Sequence, residues 1–353
     1  MSGSPKIMAL PRADLREYLQ ESYGFRGFRG DQVFSWMHGR RVRSFAEMTN
    51  IAGDARRLLS EMERLTLPGE AGRLEASDGT VKLLLKMEDG APVEAVMIPE
   101  PDRLTACLSV QVGCRMGCTF CQTGAAGFRR NLGADEVVAQ LYALQEIADR
   151  RISNVVLMGM GEPLDNLPAV EDALSIITDD MGICIGARKI TVSTVGIPEG
   201  IHRLQSLEGA FGLALSLHSA LQETRERLVP AARRWRLDEV RSALLDYARE
   251  KGRRVTLEYC LIGGVNDSRE EAEALARFAS GLPCKINLIV YNPVEGLDWQ
   301  RPSEEAVDSF AEYLYPRCPA VTVRRSRGRE VAAACGQLGA SLLKGDGGIL
   351  NVK

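Results

Sequence analysis

The sequence predicts an α/β fold: a parallel sheet with crossover helices, open or curled into a full or partial barrel, preceded by a helical segment and a small β-meander. Three observations carry this prediction. From about residue 104 onward, apolar runs of strand length alternate with helical patterns. Before them lie three short strand-like runs separated by two Asp-Gly turns, and before those a stretch whose apolar residues recur at helical spacing.

Residues 1–65 read as a helical unit. In "RADLREYL" Leu15, Tyr18 and Leu19 share one face, and in "GDQVFSWMHGR" Val33, Phe34 and Met37 do the same. The unit carries eleven Lys/Arg against eight Asp/Glu, so it is locally basic in a chain of net charge −3. Residues 66–103, "GRLEASDGTVKLLLKMEDGAPVEAVMIP" within them, read as a small bridging meander. Residues 104–335 supply the α/β core, with strands expected in "LTACLSVQV", "SNVVLMGM", "RKITVSTV", "FGLALSLH", "RRVTLEYCLI", "CKINLIVYN" and "PAVTVRRS". Helices such as "ADEVVAQLYALQEIADR" and "SEEAVDSFAEYLY" lie between them, and 336–353 form a tail that looks loose at "KGDGGILNVK". In such folds functional residues gather where strands end.

Composition narrows the function classes. With 353 residues, 45% of them hydrophobic and 26% charged, the chain is long enough for a sizeable core and is not disordered in character. No apolar run is long enough for a membrane span, and "MSGSPKIMALPRADLREYL" lacks the apolar stretch of a signal peptide, so a cytoplasmic protein is expected. In a reducing compartment nine cysteines are not a disulfide framework; a local group of them reads as metal-binding or catalytic. The slightly negative net charge argues against wholesale nonspecific nucleic-acid binding but leaves room for a basic face.

The group is "CLSVQVGCRMGCTFCQTG", which holds Cys107, Cys114, Cys118 and Cys121. The last three sit in a Gly-punctuated loop after a strand. Three thiolates hold three irons of a cubane and leave the fourth iron open to substrate, whereas a closed zinc site or an electron-transfer cluster normally takes four ligands. The three histidines, His38, His202 and His218, are scattered and supply no obvious fourth donor.

The C-x-x-x-C-x-x-C spacing in this setting resembles the radical S-adenosylmethionine (radical SAM) superfamily, which implies a partial or full α/β barrel, a 4Fe-4S cluster held by Cys114, Cys118 and Cys121, and SAM on the open iron. "MGMGEPLDN" after the next strand is similar to that superfamily's element for the methionine amino group, which implies SAM contacts at Gly161 and Glu162. The likeness narrows further. Cys107, Cys335 in "AAACGQLGAS", and the segments "GFRRNL", "VSTVG", "SLHS", "EYCLIGGVND", "CKINLIVYNP" and "RGREVAAACGQL" resemble the RlmN/Cfr family of RNA adenine methyltransferases over nearly the whole chain. "GFRGDQVFSWMHGR" and "FAEMTNI" are similar to that family's helical accessory domain.

The resemblance implies a chemistry that needs both outlying cysteines. Carbon 2 of adenine is electron-poor and cannot attack a SAM methyl, so a radical must be brought to it. Cys335 is expected to take a methyl from one SAM as its thiolate, and the deoxyadenosyl radical from a second SAM then activates that methyl for addition to the ring. Cys107 resolves the adduct through a transient disulfide, which thiol reduction resets. Matching positions imply SAM contacts at Ser193, Ser216, Leu217, His218 and Asn292, and a proton acceptor at Glu94.

By the same resemblance the substrates are 23S rRNA, at an adenosine of the peptidyl-transferase centre, and tRNA, at the adenosine 3′ of the anticodon, with the target base drawn out of its stack. Pro163 after Gly-Glu favours carbon 2 over the carbon-8 branch, which has Ala there. Phosphate contacts are expected from Arg129 and Arg130, Arg233 and Arg234, and Arg324, Arg325, Arg327 and Arg329. A low-potential electron donor such as flavodoxin, no membrane, and a monomer complete the expectation. Two rival classes make other demands: an iron-sulfur electron carrier has no use for Cys107 and Cys335, and a noncatalytic RNA-binding factor has none for Cys335.

Overall fold

The structure, a computed structural model, describes residues 5–294, 296–324 and 328–339. The chain opens with helices α1 (Arg12–Tyr23), α2 (Gly27–Phe34) and α3 (Gly53–Met62). Leu15 and Leu19 of α1, Val33 and Phe34 of α2, and Met37 just beyond are buried, as their helical spacing predicts. Each full burial of this kind contributes about 1.5–3 kcal/mol. His38, which follows, is buried against Tyr142 at 2.5 Å from Nδ1 to the phenol oxygen, so it joins the helical unit to the core instead of serving a site.

Strands β1 (Gly69–Glu75), β2 (Val81–Lys86) and β3 (Pro92–Pro99) follow, then β4 (Leu104–Cys107), β5 (Gln111–Gly113), the single-turn α4 (Gln122–Ala125), β6 (Phe128–Asn131) and α5 (Ala134–Ile147). From there strand and helix alternate: β7 (Asn154–Leu157), α6 (Leu167–Thr178), β8 (Ile190–Thr194), α7 (Pro198–Ser206), β9 (Gly212–Ser216), α8 (Gln222–Leu228), α9 (Leu237–Glu250), β10 (Val255–Leu261), α10 (Arg269–Ala279), β11 (Cys284–Val290), α11 (Glu304–Leu314) and β12 (Val321–Arg324). Ten of these strands form one sheet in the order β1-β2-β3-β4-β7-β8-β9-β10-β11-β12. It is antiparallel as far as β4 and parallel from there on, the strand order of a partial (β/α) barrel. The apolar side chains of alternate positions, among them Val192, Leu213, Leu215, Leu257, Ile286 and Leu288, join the core under the helices.

The expected meander is present and bridges directly to the core: β3 pairs with β4, with Val96 opposite Cys107, so it extends the main sheet. It also runs past the end of β4, because Pro92–Val93 and the residues up to Ala95 pair only with β2 and stand as a wall above that strand's C-terminal end. "LTACLSVQV" is two strands, not one; the main-sheet strand stops at Cys107, and β5 pairs with β6 in a two-stranded ribbon. The break falls at Ser109, which is buried, with its hydroxyl donating to Glu94 O at 2.6 Å and accepting from Met160 N at 2.8 Å, while the Gln140 amide brackets its backbone N–H and C=O. An apolar run carries no sign of such a knot. The segment "KGDGGILNVK" lies outside the described residues.

The ribbon imposes one glycine. Gly113 has φ +76°, and a Cβ there would lie 1.7 Å from Gly127 O; Gly127 has nearly the same φ, +75°, but open space around it. Gly113→Ala is therefore expected to destabilise by more than about 3 kcal/mol, and Gly127→Ala by only about 1–2 kcal/mol for the left-handed backbone alone. Equilibrium denaturation of the two variants checks this; equal costs would contradict the close approach.

Candidate active site

The C-terminal ends of the parallel strands converge on one edge of the sheet. Cys107 ends β4, and the loop that begins at Cys114 returns beneath it through the ribbon. Cys114 N donates to Gly127 O at 3.1 Å and Thr119 N to Leu228 O at 2.9 Å, so the loop is pinned to the ribbon and to the end of α8. Trp299 Nε1 donates to Thr119 O at 2.7 Å from the far side. The three thiols of Cys114, Cys118 and Cys121 are free, partly exposed and within electrostatic reach of one another, against Met116, Phe120, Val195 and Leu228.

These residues fit a 4Fe-4S cluster. The three sulfurs come from one short loop and lie within electrostatic reach of one another, the arrangement that a cluster bridging several thiolates takes. Burial lifts the Cys114 thiol to about 12 and Cys118 well above its ordinary value. A coordinating cation supplies the charge that makes thiolates of such groups.

The next loop, after β7, is locked from inside. Gly161 has φ +100° and lies against Gln111, where a Cβ would come within 2.5 Å of the Gln111 side chain. Glu162 N donates to Gln111 Oε1 at 3.0 Å. The Glu162 carboxylate is buried and accepts from Leu164 N at 3.1 Å and Val195 N at 2.9 Å, tying this loop to the end of β8. Burial raises it from the ordinary 4.5 to about 7. Its side chain is thus consumed by the fold, and so is its backbone, whose N–H goes to Gln111 and whose C=O accepts from Asp165 N at 3.1 Å, which leaves the Gly161 peptide as the part of the motif that can face a ligand.

The remaining predicted residues lie along the same edge. Ser193 and Ser216, ends of neighbouring strands, are half-buried with hydroxyls 3.3 Å apart. Leu217 turns its side chain into the core, so only its backbone is at the edge, where its N–H donates to Glu258 O at 2.9 Å. His218 has φ +59°, its Nδ1 accepts from Cys260 N at 3.1 Å, and its ring meets Phe120 edge-on at 4.8 Å. Burial, and then the charge of Arg225, lower it to about 3; it is neutral, with its proton on Nε2. Asn292 lines a depression of about 500 Å³ with Ser77, Asp78, Glu330 and Gln337.

Cys335 comes to this edge on the described stretch 328–339, which crosses the end of the sheet. Its thiol is in electrostatic reach of Cys107 and Cys121. Its side chain is exposed, yet enough protein surrounds the sulfur that burial, followed by the nearby Glu258 charge, pushes it up to about 11; Cys107, which is buried, is pushed to about 12. Burial thus disfavours the thiolate that methyl transfer requires, so of a lowered pKa and a base, the two routes to it, the second is the one this arrangement calls for. Glu94 is fully buried on β3, and its carboxylate accepts from Gly339 N at 2.7 Å.

Sequence reasoning missed several members of the site. Arg225 is buried on α8 and donates to the carbonyls of Val195, Ser216 and Leu217, capping the ends of β8 and β9. Glu258, buried on β10 with Oε1 accepting from Asn287 at 2.9 Å, faces the same interior as Cys260. A polar residue every second position in "TLEYCL" was the available signal. Of the expected phosphate contacts, Arg233 and Arg234 are exposed, but Arg130 is spent on Asp89 and Glu136. Arg325, Arg327 and the Arg329 side chain lie outside the described part.

Comparison with known proteins agrees with this geometry. Residues 108–279 match the model of the radical SAM superfamily, and residues 6–65 match that of the ribosomal RNA large subunit methyltransferase N-terminal domain. The chain is 44% identical over 348 residues to the dual-specificity RNA methyltransferase RlmN of Nitratidesulfovibrio vulgaris, covering 96% of this chain and 95% of the relative. It is also 44% identical over 328 residues to the RlmN of Desulfotalea psychrophila, covering 90% of each. A crystal structure of a radical SAM methyltransferase from Sphaerobacter thermophilus superposes with a TM-score of 0.89 at 40% identity, over 95% of this chain and 99% of that one. The cysteine loop, the strand-end edge and this likeness along nearly the whole length together place the chain in the RlmN family of radical SAM methyltransferases.

Proposed function

We propose that this enzyme methylates carbon 2 of adenine in 23S rRNA and in tRNA, with Cys335 as methyl carrier and Cys107 as resolving thiol. One observation carries the reading: two cysteines 228 positions apart in sequence are brought to one edge, where Cys107 packs in a cluster with Ala333 and Leu338, the residues that flank Cys335. When bound, a 4Fe-4S cluster on Cys114, Cys118 and Cys121 and SAM beside it supply the methyl group and the 5′-deoxyadenosyl radical.

The chain's own residues do the rest. The turn at Gly161 and Glu162, the Ser193 and Ser216 hydroxyls, the Leu217 backbone, His218 and Asn292 hold SAM along the strand ends. Cys335 gives up its proton and takes the methyl, and its sulfur later carries that carbon to the adenine ring. Glu94 accepts the ring proton, and Cys107 forms the disulfide with Cys335 that frees the methylated base. Residues 1–65 serve as the helical RNA-binding unit, 66–103 as the wall beside Cys107, 104–335 as the barrel core and 336–353 as the tail. Among the described residues no helix is long and apolar enough to cross a membrane. A monomer in the cytoplasm, supplied with electrons by a flavodoxin-type donor, is the setting that fits.

Reconstituted anaerobically, the protein is expected to hold about four irons per chain. Alanine at Cys114, Cys118 or Cys121 removes both the iron and the formation of 5′-deoxyadenosine; a variant that still cleaves SAM rules out the three-thiolate site. The two outlying cysteines separate by a different readout. Cys107→Ala still loads the methyl and adds it to RNA, so a covalent protein-RNA complex accumulates, with a nucleotide mass on the Cys335 peptide after nuclease digestion. Cys335→Ala and the double variant form none. If Cys107→Ala releases methylated RNA at the normal rate, Cys107 is a packing residue and the reading loses its resolution step.

A further inference from the structure

We infer that Lys82 is a positioning residue for Cys335: with Glu94 it forms a buried ion-pair clamp that fixes the segment carrying the methyl-bearing sulfur. The inference rests on the function proposed above for Cys335, but its geometry stands apart from it. Lys82 is on β2 and Glu94 on β3, and the register, Lys82 opposite Val96 and Leu84 opposite Glu94, makes them diagonal neighbours on one face. Leu83, Leu85, Val93 and Ala95, on the other face, pack into the core. Val96 is opposite Cys107 in turn, so clamp and resolving cysteine share a face.

Lys82 is 2% exposed and Glu94 0%, with Nζ 3.4 Å from Oε1. Each also binds the backbone of the Cys335 segment: Lys82 Nζ donates to Ala332 O at 3.1 Å, and Glu94 Oε2 accepts from Gly339 N at 2.7 Å. These two anchors lie three residues before and four residues after Cys335. A buried ion pair is a poor source of net stability, because desolvation of both charges offsets their attraction, and a well-packed apolar pair often does as well. What an apolar pair cannot do is hold a carbonyl and an N–H of a crossing segment at once. Loss of either charge strands the other in a water-poor pocket and releases one side of the segment. Further bonds, Gln122 N to Gly336 O at 2.8 Å and Thr123 to Leu338 O, fasten the middle of the segment to the cysteine loop. The clamp therefore sets the height of Cys335 above Cys107, while the loop sets its distance from the cluster ligands.

The test uses the reconstituted full-length enzyme as wild type, Lys82→Met, Lys82→Arg and Glu94→Gln. Cys335 is loaded from SAM carrying a CD₃ methyl, and deuterium is then measured in the 5′-deoxyadenosine formed from unlabelled SAM. In parallel the rate of Cys107–Cys335 disulfide formation with diamide is followed by peptide mass spectrometry. Lys82→Met is expected to keep its iron and still cleave SAM, while the deuterated fraction and the disulfide rate each fall at least tenfold. Lys82→Arg, which keeps the charge and the donors, should recover most of both. Glu94→Gln should resemble Lys82→Met in these two readouts, neither of which involves removal of the ring proton and so neither of which registers its role as proton acceptor, and it decides the matter if Lys82→Met does not fold. Wild-type deuterium transfer and a wild-type disulfide rate in a folded Lys82→Met or Glu94→Gln overturn the clamp. Absence of deuterium transfer in the wild type itself instead overturns the proposed role of Cys335, and the disulfide rates still judge Lys82.

Discussion

Strand β4 has an antiparallel partner on one side and a parallel partner on the other, and the position of every group in the site follows from that change of direction. Parallel strands all deliver their following loops to the same edge, so the loops after β4, β7, β8, β9, β10 and β11 meet there without long connections. The antiparallel side does the opposite. Because β3 runs against β4 and continues past its end, it raises a wall beside the edge that no parallel strand would build. Cys107 lies at the foot of that wall, and Glu94 projects from it.

The interior of this edge is polar in a way that only backbone hydrogen bonding makes tolerable. Glu162, Arg225 and Glu94 are all nearly inaccessible to water, and each is committed to main-chain groups: peptide N–H for the two carboxylates and carbonyls for the guanidinium. Ends of parallel strands leave such groups unpaired, and a buried N–H or C=O without a partner is costly. Glu162 and Arg225 therefore serve as caps for the ends of β8 and β9, and Glu94 holds the segment that crosses them. Their arrangement leaves the Gly161 peptide and the paired serine hydroxyls at this edge, and the SAM contacts proposed above draw on these groups.

Much of this is legible in the sequence. The strand and helix rhythm, both Asp-Gly turns and the three-cysteine loop stand where their patterns indicate, because each depends on local chemistry that residue types encode directly. What escaped depends on contacts between distant residues. The end of the main-sheet strand at Cys107 is dictated by Ser109 bonding to Glu94, Met160 and Gln140, and an apolar run does not announce it. Lys82 in "VKLLLK" has the look of a solvent-facing position on an edge strand, whereas its ammonium is taken up by Ala332 O and Glu94. Glu162 reads as a ligand contact because of its motif, yet its carboxylate is a structural cap.

The central claim is that this edge delivers a methyl carbon from Cys335 to carbon 2 of an adenine. Nucleoside mass spectrometry of a 23S rRNA fragment and of tRNA, each incubated with reconstituted enzyme, SAM and a low-potential reductant, addresses it most directly. The account predicts 2-methyladenosine in both RNAs, with the first methylene arriving from the methyl already on Cys335, and none from the Cys335→Ala enzyme. Accumulation of 8-methyladenosine, or of 2-methyladenosine without Cys335, would contradict it.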